Sequence, residues 1–358
     1  MDPVSHALLG AAVASVPARL PLRRAALLGA VAALMPDLDV LISSEADPLL
    51  QVEMHRHFTH ALVTAPLLGA LVAGAAWRFW RGQYWRLWLC ATLAVLSAGL
   101  LDACTSYGTH LLWPFSDERI AWSIIAVVDP MVWLLLVVPL GFAIATRNAG
   151  LSAVAVVCCV GYLVAGAMQQ ERAADAVRIL AAERGHEVER IVVKPTLGNL
   201  LLWRGLYQSS ETGQPPRAYV SAVRVGLFSR AVLYPGGDAK LLPADAIAPA
   251  GSVHARDAAR FDRLSAGFVV RHPSKPDVYG DIRFALRADG LAPMFGIHLD
   301  PQTPDRPAAF LELRDWDDAA WYGSRPCWPG VRYHPCNRYR TPQTSGKMNH
   351  EWISASSL

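Results

Sequence analysis

The feature that most constrains the fold of this 358-residue chain is a set of apolar stretches without a single charged side chain. These stretches cover residues 61–77, 87–101, 130–146 and 148–168. A helix needs about 20 apolar residues, and at least about 17, to cross the hydrocarbon core of a bilayer. With their polar flanks included, the segments near 58–79, 86–104, 124–146 and 149–169 reach that length. The sequence therefore predicts four membrane-spanning helices in an all-α polytopic bundle.

Two shorter apolar segments precede these helices, at residues 4–17 and 22–36. Both are rich in Ala, Gly and Leu. They are short for a full crossing, so they could span as thin or tilted helices or form a re-entrant hairpin. The sequence leaves both alternatives open.

Arginine is unevenly distributed between the loops of this bundle. If all six segments cross, one face carries seven arginines and the opposite face carries two. The face with seven has Arg19, Arg23, Arg24, Arg78, Arg81, Arg86 and Arg147. The opposite face has Arg56 and Arg119. Because short cytoplasmic loops are enriched in Lys and Arg, we expect the arginine-rich face to be cytoplasmic. The N-terminus and residues 171–358 would then lie outside the cytoplasm of a bacterial inner membrane. This placement beside apolar segments, with a net charge of only +3, argues against nucleic-acid binding.

Charge and proline return after residue 170, which predicts a change of domain. We divide the chain into a membrane domain at 1–170, an extramembrane β-rich α+β domain at 171–323 and a poorly ordered tail at 324–358. Residues 171–185 have the pattern of an amphipathic helix, and strand-like runs occur at 188–194, 199–207, 218–228, 278–287 and 294–299. Cys327 and Cys336 could form a disulfide in an oxidising compartment.

Aspartate and histidine cluster at the ends of the apolar segments that the proposed topology brings to one face. They are Asp2 and His6, Asp37 and Asp39, the HRHFTH stretch with His55, Arg56, His57 and His60, then Asp102 and Asp129. Charged groups beside apolar helices are costly and usually mark a functional site. Carboxylates with imidazoles suit a divalent ion, and we expect zinc, with manganese or iron as alternatives.

Several of these residues also have a purely structural interpretation. Asp2 and Asp129 could be helix N-caps, the latter with Pro130 at the first helical position. Asp37 and Asp39 could belong to a turn after Pro36. Three histidines in the six residues of HRHFTH, and Asp102 inside an apolar run, are harder to explain without a function.

The ordered set of these residues resembles the family of bacterial and archaeal membrane-bound metal-dependent hydrolases. The motifs that carry the resemblance are Asp2-Pro-Val-Ser-His6, Pro36-Asp-Leu-Asp39, His55-Arg-x-x-Thr-His60, Asp102-x-x-x-x-Tyr-Gly-Thr109, Trp113-Pro-Phe115 and Asp129-Pro130. The resemblance implies an integral membrane protein with a divalent-metal site whose ligands are drawn from His6, Asp37, Asp39, His55, His60 and Asp102. His57 and His110 stand where a small residue and a polar residue such as Gln are usual in that family.

The resemblance and the cluster together give a leading functional hypothesis. It is metal-dependent hydrolysis of a lipid or lipid-linked substrate, with a phosphoester as the expected bond, at the outer face of the membrane. Arg56 would stabilise developing negative charge, and Asp39 or Asp129 would relay protons. Two alternatives stay open: an ion- or proton-translocating transporter, and a non-catalytic membrane scaffold or regulator. Membrane lipids are expected partners, and the sequence does not identify protein partners.

Overall fold

Helices dominate the first half of the chain in the computed structural model, which describes residues 1–17, 20–81, 83–210 and 213–313. The predicted tail, with Cys327 and Cys336, lies outside the described residues. The helices of this half are α1 (Pro3–Ser15), α2 (Leu22–Leu34), α3 (Leu50–Met54), α4 (Ala65–Trp80), α5 (Tyr84–Ala103), α6 (Pro130–Thr146) and α7 (Ala149–Glu183). Two 3₁₀ helices, Pro36–Leu41 and Phe58–His60, connect α2 to α4 on either side of α3.

The number of helices fit to cross a membrane is smaller than the sequence predicts. Within the described residues, α5 and α7 are long and apolar enough to span, and the bent pair Leu50–His60 with Ala65–Trp80, at 78°, could form a third span. The predicted helix at 124–146 begins only at Pro130 and has 17 residues, because the preceding segment is an extended loop. The described residues therefore contain two or three candidate spans, fewer than the four that the sequence predicts.

Large apolar side chains cover the outer surface of these helices. Leu134 and Phe142 on α6, and Val157 and Met168 on α7, are all more than half exposed. Contiguous exposed apolar surface is unfavourable in water and is typical of an interface with lipid or protein. This surface, together with the candidate spans, supports a membrane location for the helical half.

Two antiparallel four-stranded meanders form the second half of the chain. The first sheet has the order β1-β2-β3-β4 and the second the order β5-β6-β7-β8. The strands are β1 (Arg190–Pro195), β2 (Leu202–Ser209), β3 (Arg217–Arg224), β4 (Val232–Lys240), β5 (Val269–Arg271), β6 (Val278–Asp281), β7 (Phe295–His298) and β8 (Ala309–Glu312), with helix α8 (Val253–Leu264) before β5. All five predicted strands are present, although the run at 278–287 continues as turns after Asp281. The sequence interpretation missed β4, β5, β8 and α8.

Helix α7 joins the two halves without a break. At a rise of about 1.5 Å per residue, its 35 residues exceed the roughly 30 Å of hydrocarbon that a span must cross. Its C-terminal turns pack Ala174 and Val177 against Trp203 and Tyr207 in one hydrophobic cluster. The amphipathic helix predicted at 171–185 is thus the end of α7, and the first sheet is packed directly on it.

A second connection runs from α8 to the loop around α3. The guanidinium of Arg260 donates to both carboxylate oxygens of Asp47, at 2.8 and 2.9 Å, and to both of Glu53, at 2.9 and 2.6 Å. Arg260 is mostly buried, and bidentate pairs of this kind hold a defined geometry. The second sheet is thereby held beside the segment that contains His55 and His60.

Replacing Arg260 with Met is expected to weaken this connection, because two partly buried carboxylates lose their only shared cation among the described ion pairs. We expect a loss of about 1–3 kcal/mol in unfolding free energy. The measurement is the thermal midpoint in detergent. Arg256→Met is the control, because the Arg256 side chain is largely exposed and should be nearly neutral. Equal midpoints for the two variants would contradict the inferred role.

Candidate metal site at the helix ends

Close packing of glycine brings the first two helices together and fixes the position of His6. A Cβ on Gly29 would lie 2.1 Å from the carbonyl oxygen of Gly10, so both positions require glycine. His6 lies one turn before Gly10 on α1 and is fully buried. Small residues at a helix interface are the usual means of close approach in membranes.

The 3₁₀ helix Pro36–Leu41 presents two carboxylates to the interior. Pro36 ends the α2 pattern, and the tighter turn that follows carries Asp37 and Asp39 inward. Burial raises the pKa of both carboxyls, but the neighbouring His60 at Asp37, and His55 and His60 at Asp39, outweigh burial and hold both pKa values below the usual range. Both groups are therefore carboxylates at neutral pH.

Asp102 lies in the last turn of α5 and is completely buried. Its Oδ1 accepts from the amino group of Met1 and lies 3.2 Å from both His6 Nε2 and the Arg56 guanidinium. Its Oδ2 faces His60 Nε2 at 3.1 Å. One oxygen is thus surrounded by cationic and ring nitrogens, while the other is directed at a histidine.

His6, Asp37, His60 and Asp102 form the core of the site, and we call this group the cluster. One donor atom each from His6, Asp37 and Asp102 lies within 4.8 Å of the other two. His60 joins them, with Nε2 3.3 Å from Asp37 Oδ1. His6 Nδ1, Asp37 Oδ2, His60 Nε2 and Asp102 Oδ2 are all buried, and none has a well-formed hydrogen bond to a described residue.

Asp39 lies behind His60 rather than in this group. It accepts from His55 Nδ1 at 2.8 Å, from the Arg56 amide at 2.8 Å and from the Thr59 hydroxyl at 2.8 Å. His60 Nδ1 is 3.3 Å from Asp39 and 3.0 Å from Thr59 Oγ1. Because the Thr59 hydroxyl already donates to Asp39, His60 Nδ1 is best placed as a donor to these oxygens, which directs its Nε2 lone pair at Asp37 and Asp102.

The turn that carries Arg56 has a constrained backbone. Arg56 has φ 61°, in the left-handed region that non-glycine residues rarely adopt. The Arg119 guanidinium donates to the carbonyls of Val52 and Glu53, both at 2.9 Å, and the His110 amide donates to the Arg56 carbonyl at 3.1 Å. Such a conformation persists only where the surroundings enforce it, and it clusters at functional sites.

His57 and His110, the two departures from the resembled family pattern, contact each other. Their ring centroids are 4.4 Å apart, and Arg119 Nε donates to His110 Nε2 at 3.0 Å. Burial, the charge of Arg119 and the neighbouring His57 lower the pKa of His110 to about 4. Neither ring has a described contact with His6, Asp37 or Asp102, so this pair buttresses the turn instead of completing the cluster.

The low pKa of His110 predicts a loss of stability in mild acid. The imidazole of His110 takes up a proton near pH 6.5 in the unfolded chain but only near pH 4 in the folded chain. The free energy of unfolding should therefore fall as the pH drops from 6.5 to 4. His110→Gln keeps an acceptor for Arg119 but removes the titration. We expect the thermal midpoint of the wild type to fall more steeply than that of His110→Gln between pH 6.5 and 4.5. Parallel midpoint curves would refute this assignment.

The remaining predicted site residues, Asp2, Asp129 and His55, lie outside the cluster. Asp2 caps α1 by accepting from the Ser5 amide at 3.0 Å, and Asp129 caps α6 by accepting from the Met131 amide at 3.0 Å and from the Tyr162 hydroxyl at 2.9 Å. Both oxygens of Asp129 are thus used by described residues away from the cluster, so the proton relay assigned to it has no geometric support. His55 is partly exposed and reaches the cluster only through Asp39.

Sequence reasoning did not identify three residues that shape the site. Thr59 and Arg119 position the histidine-bearing turn, and Thr105 accepts from the Arg56 guanidinium at 2.8 Å. Thr59 belongs to one of the quoted motifs, and this was the available signal for it. No sequence signal pointed to Arg119, because the backbone carbonyls that it contacts are distant in sequence.

The fold and this cluster define a class: a helical membrane protein with a buried Asp/His site where several helices end. Residues 1–173 match the family model described as "YdjM inner membrane protein". The chain is 39% identical over 103 residues to "Inner membrane protein YbcI" of Escherichia coli (strain K12), covering 28% of this chain and 60% of that protein. It is 23% identical over 164 residues to "Uncharacterized protein YfhP" of Bacillus subtilis (strain 168), covering 45% of this chain and 49% of that protein.

The family match falls on the helical half of the chain, which carries the cluster, and the comparisons together support an inner-membrane protein. The chain spans about half to three fifths of the length of these relatives. None of their descriptions names an activity. No solved structure matches the chain at a significant level.

Proposed function

We propose that this protein is a metal-dependent hydrolase of the inner membrane, acting on a lipid or lipid-linked phosphoester. The observation that carries the proposal is the environment of His60. Its Nε2 faces two carboxylate oxygens, of Asp37 and Asp102, while its Nδ1 is directed at Asp39 and Thr59. A lone pair directed at two carboxylates is repulsive, and either a proton on Nε2 or a metal ion between the three groups relieves this repulsion.

The donor set fits a divalent metal ion. His6, His60, Asp37 and Asp102 would hold it, and zinc, manganese and iron all accept mixed imidazole and carboxylate ligands. Each of these four residues has a buried side-chain atom without a hydrogen-bond partner among the described residues. When bound at such a site, a divalent ion supplies a Lewis acid and an activated water near neutral pH.

The chain's own residues would then have distinct roles. Asp39 and Thr59 hold the tautomer and orientation of His60, as partners behind metal-binding histidines commonly do. Arg56, which is buried and has an Nε atom without a partner, places a fixed positive charge beside Asp102 and would offset the charge of a phosphoryl group. His6, His60 and Asp102 are buried, and the Asp37 side chain is 22% exposed and would be the side from which water reaches the cluster.

A hydrolysis assay on detergent-purified protein tests the proposal. Soluble and lipid phosphoesters would be offered with zinc, manganese or iron, and cleavage should require metal and be lost in Asp37→Asn. Ion or proton flux into proteoliposomes that depends on Asp102, without hydrolysis, would instead identify a transporter. A cellular phenotype that survives Asp37→Asn but not deletion of 171–358 would identify a scaffold.

A further inference from the structure

A cavity of about 380 Å³ lies between the turn that carries the cluster and the second sheet. The helical half contributes His55, Arg56 and Arg119 to its wall, and the extramembrane half contributes Phe284, Phe295 and Phe310. Its volume falls in the range of about 300–1,000 Å³ typical of small-molecule sites. We call this cavity the chamber. His55 and Arg56 belong both to the chamber and to the surroundings of the cluster.

One wall of the chamber is a continuous row of aromatic rings. Tyr107 stacks on Phe284 with centroids 4.6 Å apart, Phe284 contacts Phe295 at 5.1 Å, and Phe295 stacks on Phe310 at 6.1 Å. Tyr107 comes from the loop after α5, and the three phenylalanines come from the extramembrane half. Such a wall binds apolar groups through buried area and offers little to a fully hydrophilic ligand.

The end of the chamber nearest the cluster is cationic. Arg56 is only 4% exposed; its Nη atoms contact Asp102 and Thr105, and its Nε has no hydrogen-bond partner among the described residues. Arg119 donates to backbone carbonyls and takes part in none of the ion pairs between described residues. Arg283 is neutralised by Asp281, and Glu312 lies on edge strand β8, opposite Phe295 in the strand register, at the aromatic end of the chamber. The charge next to the cluster is therefore suited to an anion.

The rim of the chamber at Val40 belongs to a short helix whose exposed side is apolar. Leu38, Val40 and Leu41 are 52, 50 and 75% exposed on the same 3₁₀ helix that directs Asp37 and Asp39 inward. Val40 also lines the chamber. Apolar side chains on a short helix that faces outward are stable where they meet lipid, and this favours a mouth that opens to the bilayer interface over one open to water.

We propose that the chamber binds a phosphorylated amphiphile from the bilayer, with its phosphate at Arg56 and Arg119 and its apolar part on the aromatic wall. This inference rests on the proposed hydrolase site and adds to it the substrate class and the part of the chain that recognises it. The extramembrane half supplies most of the apolar wall and so determines which lipid reaches the cluster.

Calorimetric titration of the full chain in a non-ionic detergent tests the chamber. The probes are octyl phosphate below its critical micelle concentration, octanol and inorganic phosphate. We expect octyl phosphate to bind at least tenfold more tightly than either of the others. Equal binding of inorganic phosphate would identify a free-phosphate site and overturn the amphiphile proposal, as would equal binding of octanol.

Two variants locate the binding. Val40→Glu places a carboxylate at the half-exposed rim, and Phe310→Ala removes a ring from the wall; each should weaken octyl phosphate binding at least tenfold. Leu227→Glu and Phe228→Ala are matched controls, because both side chains are exposed and neither lines the chamber. Loss of affinity in the controls, or none in Val40→Glu, would contradict the location.

The chamber and the hydrolase proposal can fail separately. If wild-type protein cleaves soluble phosphoesters but does not bind octyl phosphate, the chamber proposal is wrong and the hydrolase remains. If the Asp37→Ala, His60→Ala double variant binds octyl phosphate normally and the wild type shows no hydrolysis, the chamber is supported and the hydrolase is not.

Discussion

Protein that carries Asp37→Ala together with His60→Ala is expected to lose its divalent metal, whereas wild-type protein should keep about one equivalent through detergent purification. The two substitutions remove a carboxylate and an imidazole whose donor atoms are 3.3 Å apart, on separate 3₁₀ helices. Loss of a partner behind a metal-binding histidine already lowers affinity by about 10–100-fold. Loss of two direct ligands should exceed that. Elemental analysis by mass spectrometry gives the metal content per chain.

Further variants test whether the loss of metal is specific to the proposed ligands. Asp39→Asn should retain metal with an affinity lowered by about 10–100-fold, because it keeps the shape behind His60 but weakens its orientation. Asp175→Ala with His186→Ala is the matched control, since it removes one Asp and one His from outside the cluster. Wild-type protein without stoichiometric metal, or a double variant with undiminished metal, would exclude the proposed site.

The convergence of distant residues could be predicted from the sequence, but the role of each residue could not. Helix ends that share a face bring their polar residues together, and this places His6, Asp37 and Asp102 in one group. Asp2 and Asp129 have the same sequence signature and are helix caps. The difference depends on hydrogen bonds to amides one turn away, which local sequence permits at any helix start.

Tertiary contacts also determine which histidine of HRHFTH reaches Asp37 and Asp102. The left-handed conformation of Arg56 reverses the chain between His55 and His57, so the rings face different surroundings. His60 reaches Asp37 and Asp102, whereas His57 packs on His110. The conformation is held by Arg119 and His110, about 50–60 residues away, and no local pattern encodes such a contact.

Substituting Gly99 with Ala is expected to disrupt the cluster although Gly99 carries no side chain to bind anything. Gly99 lies one turn before Asp102 on α5, and a Cβ there would lie 2.6 Å from the carbonyl oxygen of His60. That oxygen is backbone and cannot rotate away, so α5 and the Phe58–His60 helix would have to separate. We expect metal affinity to fall by at least about tenfold, and stability to fall by the roughly 1–3 kcal/mol that overpacking costs.

Gly74→Ala and Gly141→Ala supply the comparison, because a Cβ at either position meets nothing within 4 Å. Each places alanine in a helix and should be neutral or stabilising by up to about 1 kcal/mol, without effect on metal binding. Metal titration and thermal midpoints on the three variants separate local overpacking from a general intolerance of substitution at helix glycines. If Gly99→Ala bound metal as tightly as the wild type, close contact between α5 and His60 would be unnecessary. The inferred dependence of the metal site on this helix contact would then be wrong.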